Sequence, residues 1–357
     1  MKHILILGGT GAMGNHLVNM LSQCCLGEVN LVVSTRHERT SNVHVHYVKG
    51  NAHDIEFTKH LLCQNNWDAI IDFMSYSTSE FKERYNSLLN STDQYFYLSS
   101  SRVYAENTNP IKEDSPRLLD VCQDNDYLLT DEYALAKARQ EDCLRDSGKK
   151  NWTIIRPYIT FSENRLQLSP LEKENWLYRA LFGKTIVFSK DISDKWTTIS
   201  YGGDVAKGIL ALVGKEDALG EAFHITSDKS YKWSAILDLY LDIIEKKTGN
   251  RPKVAMLDKW NPSIGGAIAQ VKYDRLYNRL FDNSKISRYV DISKFQDPLS
   301  TLQGCVSSFL DNIQFKDIDW AGEARRDCIT GEWAYYNAIM GAKQKLKYYL
   351  VRLRLHK

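Results

Sequence analysis

The feature that most constrains this chain is a run of glycines directly after its first apolar segment. Residues 4–7 are Ile-Leu-Ile-Leu, glycines follow at positions 8, 11 and 14, and apolar residues then recur at helical spacing from Leu17. This order predicts a strand, a tight turn and a helix, a unit whose backbone amides attract phosphate groups. We therefore predict that the turn binds a dinucleotide; a glycine turn without a ligand is the alternative. The predicted contacts are Gly8, Gly11, Ala12, Met13 and Gly14.

Strand patterns recur through the first half of the chain. Apolar runs lie at 29–34, 43–48, 68–73, 95–99 and 152–155, and helical patterns separate most of them. The alternation predicts an α/β fold, with a Rossmann-type doubly wound parallel sheet and a smaller C-terminal substrate-binding lobe. We predict a dinucleotide-binding domain at 1–165, to which 185–225 returns. The other predicted parts are a substrate-binding lobe at 166–184 and 226–330, and a basic amphipathic tail at 331–357.

The composition argues against several classes of function. The 46 basic and 44 acidic residues nearly balance, so the chain has no overall field for gripping nucleic acid, and we expect no nucleic-acid partner. Its 7 cysteines contain no CxxC pair, which fits reduced thiols in a cytoplasmic protein better than a disulfide framework. We also predict no bound metal, and no apolar stretch approaches the length of a membrane span.

The end of the second predicted strand bears on cofactor choice. A NAD site usually offers a carboxylate there to the adenosine ribose, but this chain has Ser34, Thr35 and Arg36. An arginine can bind a 2′-phosphate instead, with the two hydroxyls adding hydrogen bonds. The sequence therefore favours NADP over NAD; a solvated loop arginine is the alternative.

Tyr133 and Lys137 form a YxxxK pair on a predicted helix. Four residues is about one helical turn, so both side chains project from one face. A cation beside a tyrosine stabilises its phenolate and suits it to acid–base work. The pair follows a predicted strand that ends in Ser99-Ser100-Ser101-Arg102, which delivers hydroxyls to the edge of the sheet where ligands bind.

These motifs together resemble the extended short-chain dehydrogenase/reductase family, in its NAD-dependent epimerase/dehydratase group that acts on nucleotide sugars. The matching segments keep the family's order from the glycine turn to residue 285. Besides the three motifs above they are 50–54 (GNAHD), 113–116 (EDSP), 155–157 (IRP), 203–206 (GDVA), 223–228 and 281–285 (FDNSK).

The resemblance implies roles for particular residues. Ser100 would hold the reacting carbonyl, Tyr133 would be the acid/base, and Lys137 would assist Tyr133 and bind the nicotinamide ribose. Further cofactor contacts would come from Asn51, Ala52 and Pro157. The resemblance also implies a nucleotide-sugar substrate and a homodimer.

Some positions depart from the family pattern. The Asp-Glu pair that lets dehydratases eliminate water falls at Ser101 and Arg102, so dehydration is not expected. Ile159 replaces an asparagine common after Arg-Pro. A basic run from Lys272 to Arg279 could clamp a substrate diphosphate, and a solvated helix face is the equal alternative. The predicted substrate contacts are Ser75, Ser101, Arg165, Lys272 and Arg275.

Three functions remain open from the sequence. The first is a reductase that converts a 4-keto-6-deoxy nucleotide sugar with NADPH, in surface-polysaccharide biosynthesis. The second is a nucleotide-sugar epimerase with a retained NAD. The third is a non-catalytic member that binds nucleotide or RNA, which an intact Ser100, Tyr133 and Lys137 set argues against.

The C-terminal segment at 343–357 predicts a basic amphipathic helix, because it has six Lys or Arg, no acid and interleaved leucines. It could contact an anionic membrane surface or a partner protein. The alternative, which the sequence favours, is a helix docked on its own subunit or its dimer mate.

Overall fold

The protein was analysed as a computed structural model, which describes residues 2–24 and 29–354. Within these residues the strands are β1 (Lys2–Leu7), β2 (Val29–Thr35), β3 (Val45–Lys49), β4 (Trp67–Asp72), β5 (Thr92–Leu98), β6 (Trp152–Pro157), β7 (Thr160–Phe161), β8 (Gln167–Leu168), β9 (Leu171–Glu172), β10 (Ile186–Ser189), β11 (Trp196–Thr197), β12 (Ser200–Tyr201), β13 (Glu221–Ile225), β14 (Tyr231–Lys232) and β15 (Val254–Leu257).

The helices within the same residues include several of a single turn. They are α1 (Gly14–Cys24), α2 (Ile55–Leu62), α3 (Thr78–Asn90), α4 (Leu118–Val121), α5 (Asn125–Leu128), α6 (Tyr133–Arg145), α7 (Lys173–Leu181), α8 (Lys190–Ser193), α9 (Gly202–Leu212), α10 (Trp233–Thr248), α11 (Ile268–Gln270), α12 (Pro298–Asp311), α13 (Trp320–Thr330) and α14 (Ala342–Arg354).

The described residues contain one large sheet of seven parallel strands, in the order β13-β6-β5-β4-β1-β2-β3. From β1 the chain adds β2 and β3 on one side and then crosses to β4 on the other. The predicted Rossmann-type doubly wound sheet is thereby confirmed. The reversal at β1 and β4 is the kind of point where such sheets bind ligands, beyond the carboxyl ends of the strands.

The strands are apolar because both faces of the sheet are covered. Ile4 and Ile6 belong to an apolar cluster with the inward faces of α1 and α9, while Leu5 and Leu7 belong to another that includes residues of α2 and α3. All four side chains are at most 1% exposed. Burial on both faces explains why β1 lacks the polar alternation of a half-exposed strand.

The chain forms two compact units. The first comprises residues up to 162, 198–228 and 280–296, and the second comprises 163–197, 229–279 and 297 onward. These bounds differ from the predicted ones. Residues 185–197 lie in the second unit because β10 pairs with β15 there. Residues 280–296 lie in the first unit, where Phe281 pairs with Ile111 and Ile286 packs in the core.

The second unit has its own apolar core and a buried ionic cluster. Trp176 and Tyr240 are at most 1% exposed, and their ring centroids lie 4.2 Å apart. Arg179 on α7 donates to Glu323 at 2.7 Å and to Asp327 at 2.9 Å, both on α13, and all three side chains are fully buried. Because Arg179 forms buried ion pairs with both carboxylates, α13 is held to α7 by ionic as well as apolar contacts.

None of the helices in the described part of the chain is long and apolar enough to cross a membrane. The cysteines that the structure describes in full, at positions 63, 122, 143, 305 and 328, are free thiols.

Candidate active site

The turn between β1 and α1 is shaped by its glycines. Gly8 has φ +70°, the left-handed region that glycine adopts without strain. A Cβ on Gly14 would lie 2.6 Å from the carbonyl carbon of Gly9, so the start of α1 packs against the turn too closely for any side chain. Gly11 has no atom within 4 Å of its Cβ position and faces open space. This cradle fits the pyrophosphate of a dinucleotide, because the first amides of a helix lack partners within it.

The end of β2 braces the same turn. Ser34 is buried, and its hydroxyl oxygen accepts from the Gly8 amide at 3.0 Å. Thr35 is also buried and donates to the carbonyl of His37 at 3.0 Å. Arg36 is exposed beyond them. The nearest following acid in the chain, Glu38, pairs with Lys49 at 3.1 Å.

Asn51 and Ala52 follow β3. The Asn51 side chain is exposed and accepts from the His53 amide at 3.2 Å. Ala52 is buried, and its carbonyl accepts from the Arg84 guanidinium at 3.0 Å. The Asn51 side chain is therefore accessible to a ligand, as its predicted role in cofactor binding requires. The carbonyl of Ala52 already accepts a hydrogen bond, so Ala52 could contribute only van der Waals contact.

Helix α6 carries the YxxxK pair at its start, as predicted. Glu132 caps the helix by accepting from the Ala134 amide at 2.8 Å. Tyr133 is 39% exposed and Lys137 only 2%, so the tyrosine faces outward while the ammonium lies within the protein. The two side chains stay together, since the Lys137 Nζ lies 6.0 Å from the centre of the Tyr133 ring.

The buried ammonium of Lys137 is held by backbone. Its Nζ donates to the carbonyl of Leu98 at 2.6 Å and to that of Met74 at 3.4 Å, where β5 ends and just beyond the end of β4. Burial lowers the pKa of Lys137 to about 8, although the nearby Asp72 carboxylate favours the charged ammonium and so raises this pKa. Burial in turn raises the pKa of Asp72, which accepts from Tyr95 at 2.9 Å.

The predicted serines behave differently from one another. Ser100 is 6% exposed, and its hydroxyl oxygen accepts from the Arg102 amide at 3.2 Å, which leaves its own proton to donate. Ser101 is fully buried and donates to the Arg156 carbonyl at 2.8 Å, so its hydroxyl is committed within the protein. Ser75 is exposed, directly after the Met74 carbonyl that holds Lys137.

Arg102 belongs to this site, and the sequence reasoning missed it. Its guanidinium lies 5.2 Å from the centre of the Tyr133 ring and donates to Glu132 at 2.6 Å. Tyr133 therefore has two cations near its ring, Lys137 and Arg102. The available signal was the arginine in the SSSRVY segment together with the acid just before the YxxxK motif.

The predicted basic clamp in the second unit includes two arginines that are already paired within the protein. Arg275 and Arg279 are buried and both pair with Asp274, the latter at 2.8 Å. Both charges therefore have a carboxylate partner inside the second unit; Asp274 and Arg275 lie on one irregular turn of helix, and Arg279 follows it. Lys272 is exposed, with its Nζ 4.8 Å from the Tyr273 ring centre, and Arg165 is exposed elsewhere in the unit.

Several segments that carry the family resemblance meet in a buried polar network of the first unit. The Arg156 guanidinium donates to both oxygens of Glu141, at 2.8 and 2.6 Å, and to Tyr104 at 2.9 Å. Although burial alone would raise the pKa of Glu141, Arg156 lowers it below the ordinary value. Ser99 donates to Glu141 at 2.6 Å. Burial lowers the pKa of the neighbouring His224 to about 4, so this histidine is neutral near pH 7.

The end of β6 shows one strained residue. Pro157 ends the strand, half-buried, and Ile159 two residues later has φ 32°. A β-branched residue rarely adopts this region, which asparagine tolerates better. The departure from the family's asparagine at Ile159 is therefore made at a cost in backbone strain.

The environment of Lys137 makes a prediction that needs no substrate. We expect one lysine to titrate with a midpoint near pH 8, and Asp72→Asn to lower that midpoint, because it removes the charge that favours the ammonium. NMR of protein labelled at lysine side chains measures both, and Lys137→Met assigns the signal. Asp93→Asn, at an exposed position near the start of β5, is the matched control and should change nothing. A midpoint above pH 10 in the parent protein would contradict the geometry.

Similar folds occur among solved structures. The UDP-glucuronic acid 4-epimerase of Bacillus cereus, solved with UDP-glucuronic acid and NAD, is 16% identical with a TM-score of 0.65, over 87% of this chain and 99% of that one. The dTDP-glucose 4,6-dehydratase of Bacillus anthracis, solved with NAD, is 15% identical with a TM-score of 0.64, over 87% and 97%. The UDP-N-acetylglucosamine 4-epimerase of Methanobrevibacter ruminantium, solved with UDP-N-acetylmuramic acid, is 17% identical with a TM-score of 0.65, over 87% and 99%.

These likenesses show the fold. A search among curated proteins finds no match. The model of the NAD dependent epimerase/dehydratase family matches residues 4–226, which include the glycine turn, the SSSRVY segment and the YxxxK helix. The chain is a member of the NAD-dependent epimerase/dehydratase family, the extended short-chain dehydrogenase/reductase group that the sequence resembled.

Proposed function

We propose that the protein reduces a keto group on a nucleotide-linked sugar, with NADPH as the hydride donor and a 4-keto-6-deoxy sugar as the substrate. The observation that carries the proposal is the surrounding of Tyr133. Tyr133 is 39% exposed, and the Lys137 ammonium and the Arg102 guanidinium lie 6.0 and 5.2 Å from the centre of its ring. The Arg102 amide donates to the Ser100 hydroxyl at 3.2 Å. An accessible phenol between two cations suits proton donation to a carbonyl oxygen.

The roles of the side chains follow from these contacts. As hydride reaches the carbonyl carbon, negative charge develops on the carbonyl oxygen. Ser100 can donate one hydrogen bond to that oxygen, because its own oxygen already accepts from the Arg102 amide. Tyr133 transfers its proton to the same oxygen and completes the hydroxyl group. Lys137 and Arg102 stabilise the phenolate that remains.

The cofactor would lie along the carboxyl ends of the first strands. The bound nicotinamide supplies the hydride. The residues that would hold the dinucleotide are Gly8, Gly11, Ala12, Met13, Gly14, Ser34, Thr35, Arg36, Asn51, Ala52, Lys137 and Pro157. Arg36 supports NADP, because it is exposed at the end of β2 and no carboxylate stands among Ser34, Thr35 and Arg36.

Two features support reduction over dehydration. Elimination of water needs an acid and a base beside the tyrosine, but the corresponding positions are Ser101, whose hydroxyl donates to a backbone carbonyl, and Arg102, which pairs with Glu132. The keto sugar would therefore come from a separate dehydratase, as in the biosynthesis of a surface polysaccharide. Cytoplasmic location and homodimer formation remain predictions.

A nucleotide-sugar epimerase is the second candidate. It is favoured by the likeness to solved 4-epimerases, one of them with NAD bound. An epimerase would use the same Tyr133, Lys137 and Ser100 to oxidise and then re-reduce one sugar carbon on a retained NAD. The non-catalytic alternative gains no support, since a module that only binds nucleotide has no use for an exposed tyrosine between two cations.

One assay separates these functions. We expect the absorbance of NADPH to fall when a dehydratase-generated 4-keto nucleotide sugar is added, with a 4-hydroxy sugar as the product by NMR. Lys149→Gln, at an exposed position beyond the end of α6, is a control that should keep the activity. Inversion of a 4-hydroxy nucleotide sugar with no net change in the cofactor would replace the reductase by the epimerase.

The cofactor preference is tested separately. We expect NADP(H) to bind more tightly than NAD(H), and Arg36→Ala to remove the difference, since one charge-assisted contact contributes about 1.5 to 3 kcal/mol. Isothermal titration with both cofactors measures this. Arg39→Ala, a neighbouring exposed arginine, is the matched control. Equal affinities of the parent protein for NADP(H) and NAD(H) would contradict the proposed preference for NADP.

A further inference from the structure

We propose that the last described helix, α14, binds the surface of an anionic lipid bilayer. One face of this helix is fixed to the protein. Tyr348 is fully buried and donates to Asp327 at 2.6 Å, and Arg352 is 1% exposed and donates to the Glu332 carbonyl at 3.2 Å. These contacts hold α14 on the second unit, in agreement with the docked helix that the sequence favoured. They account for only one face of the helix.

The opposite face is apolar and exposed. Leu346, Leu350 and Leu353 are 61%, 47% and 58% exposed, and their spacing of four and three residues sets them in one stripe. Tyr348, on which the helix docks, points away from this stripe by about half a turn. Single exposed leucines are ordinary, but a continuous apolar stripe on a rigid helix indicates a binding surface.

The segment that leads into α14 also exposes apolar side chains. Trp333, Tyr335, Tyr336 and Met340 are all exposed, by 48% to 78%. Tyr336 lies against the helix, with the Lys345 Nζ 3.5 Å from its ring centre. Tryptophan and tyrosine are the side chains that favour the boundary between lipid and water, because each combines an apolar ring with a polar group.

The charge of this region identifies the partner. Residues 333–354 contain no Asp or Glu, whereas lysine or arginine occupies positions 343, 345, 347, 352 and 354. Lys343 and Lys347 are exposed, and the acid near Lys347 is Asp319, the residue that caps the start of α13, at 3.8 Å. Basic residues beside a leucine stripe are typical of helices that lie in the plane of an anionic membrane.

A second copy of this chain fits the surface less well. Two copies that packed their leucine stripes together would bring Lys343 and Lys347 of each toward the other, and like charges would repel. A bilayer of anionic lipid satisfies both the leucines and the lysines. The inference does not depend on the proposed reaction.

Sedimentation with vesicles tests the proposal. We expect the full chain to bind vesicles of phosphatidylglycerol and phosphatidylethanolamine, to bind phosphatidylcholine vesicles far less, and to lose binding at high salt. The triple variant Lys343→Gln, Lys345→Gln, Lys347→Gln should bind about a hundredfold more weakly, because each base near such a surface contributes about a factor of five. The control variant Lys246→Gln, Lys253→Gln, Lys259→Gln removes as many lysine charges from the same unit, all at exposed positions, and should bind like the parent.

A second variant tests the leucines. Leu346→Ser, Leu350→Ser, Leu353→Ser should abolish vesicle binding while thermal unfolding stays close to that of the parent, because these side chains are exposed. Equal binding of the parent to anionic and neutral vesicles, or an equal loss in the control lysine variant, would overturn the proposal. So would a parent that binds no vesicles but changes its mass in solution on the leucine substitutions, since that result would identify a second copy as the partner.

Discussion

The candidate site depends on a buried ion pair between Glu141 and Arg156. Neither side chain is more than 1% exposed, so either charge would destabilise the folded protein if it were buried without the other. The pair joins the middle of α6 to β6, and Ser99 adds the end of β5 through its bond to Glu141. Because Lys137 lies one turn before Glu141 on the same helix, this pair also fixes where the Lys137 ammonium lies.

The position of Lys137 then determines the chemistry available to Tyr133. An ammonium held by the Leu98 and Met74 carbonyls cannot move to solvent, and burial leaves its pKa at about 8. Near neutral pH the Lys137 ammonium is therefore a positive charge fixed in position, and it loses its proton more readily than an exposed lysine does. Arg102 supplies a second positive charge near the Tyr133 ring, and its guanidinium donates to Glu132. The scaffold thus positions two cations and leaves the phenol accessible.

The sequence predicted the parts of this site that depend on local pattern. The first strand, the glycine turn and the YxxxK helix all follow from short-range periodicity and from what glycine permits. Arg102 could not be found in that way, because its contact with Tyr133 joins segments thirty residues apart through the fold. For the basic run at Lys272 to Arg279, the sequence does not show which of the charges are paired within the protein. Arg275 and Arg279 both pair with Asp274, which a count of basic residues does not reveal.

In the proposed reaction of a nucleotide sugar, Tyr133 transfers the proton. Single-turnover reduction by Tyr133→Phe measures this role, with Tyr85→Phe as a matched loss of one phenol hydroxyl. We expect the rate to fall by a factor of about 10² to 10⁴ for Tyr133→Phe, with dinucleotide affinity close to that of the parent, and the rate of Tyr85→Phe to be unchanged. A Tyr133→Phe rate equal to that of the parent would show that Tyr133 is not the proton donor.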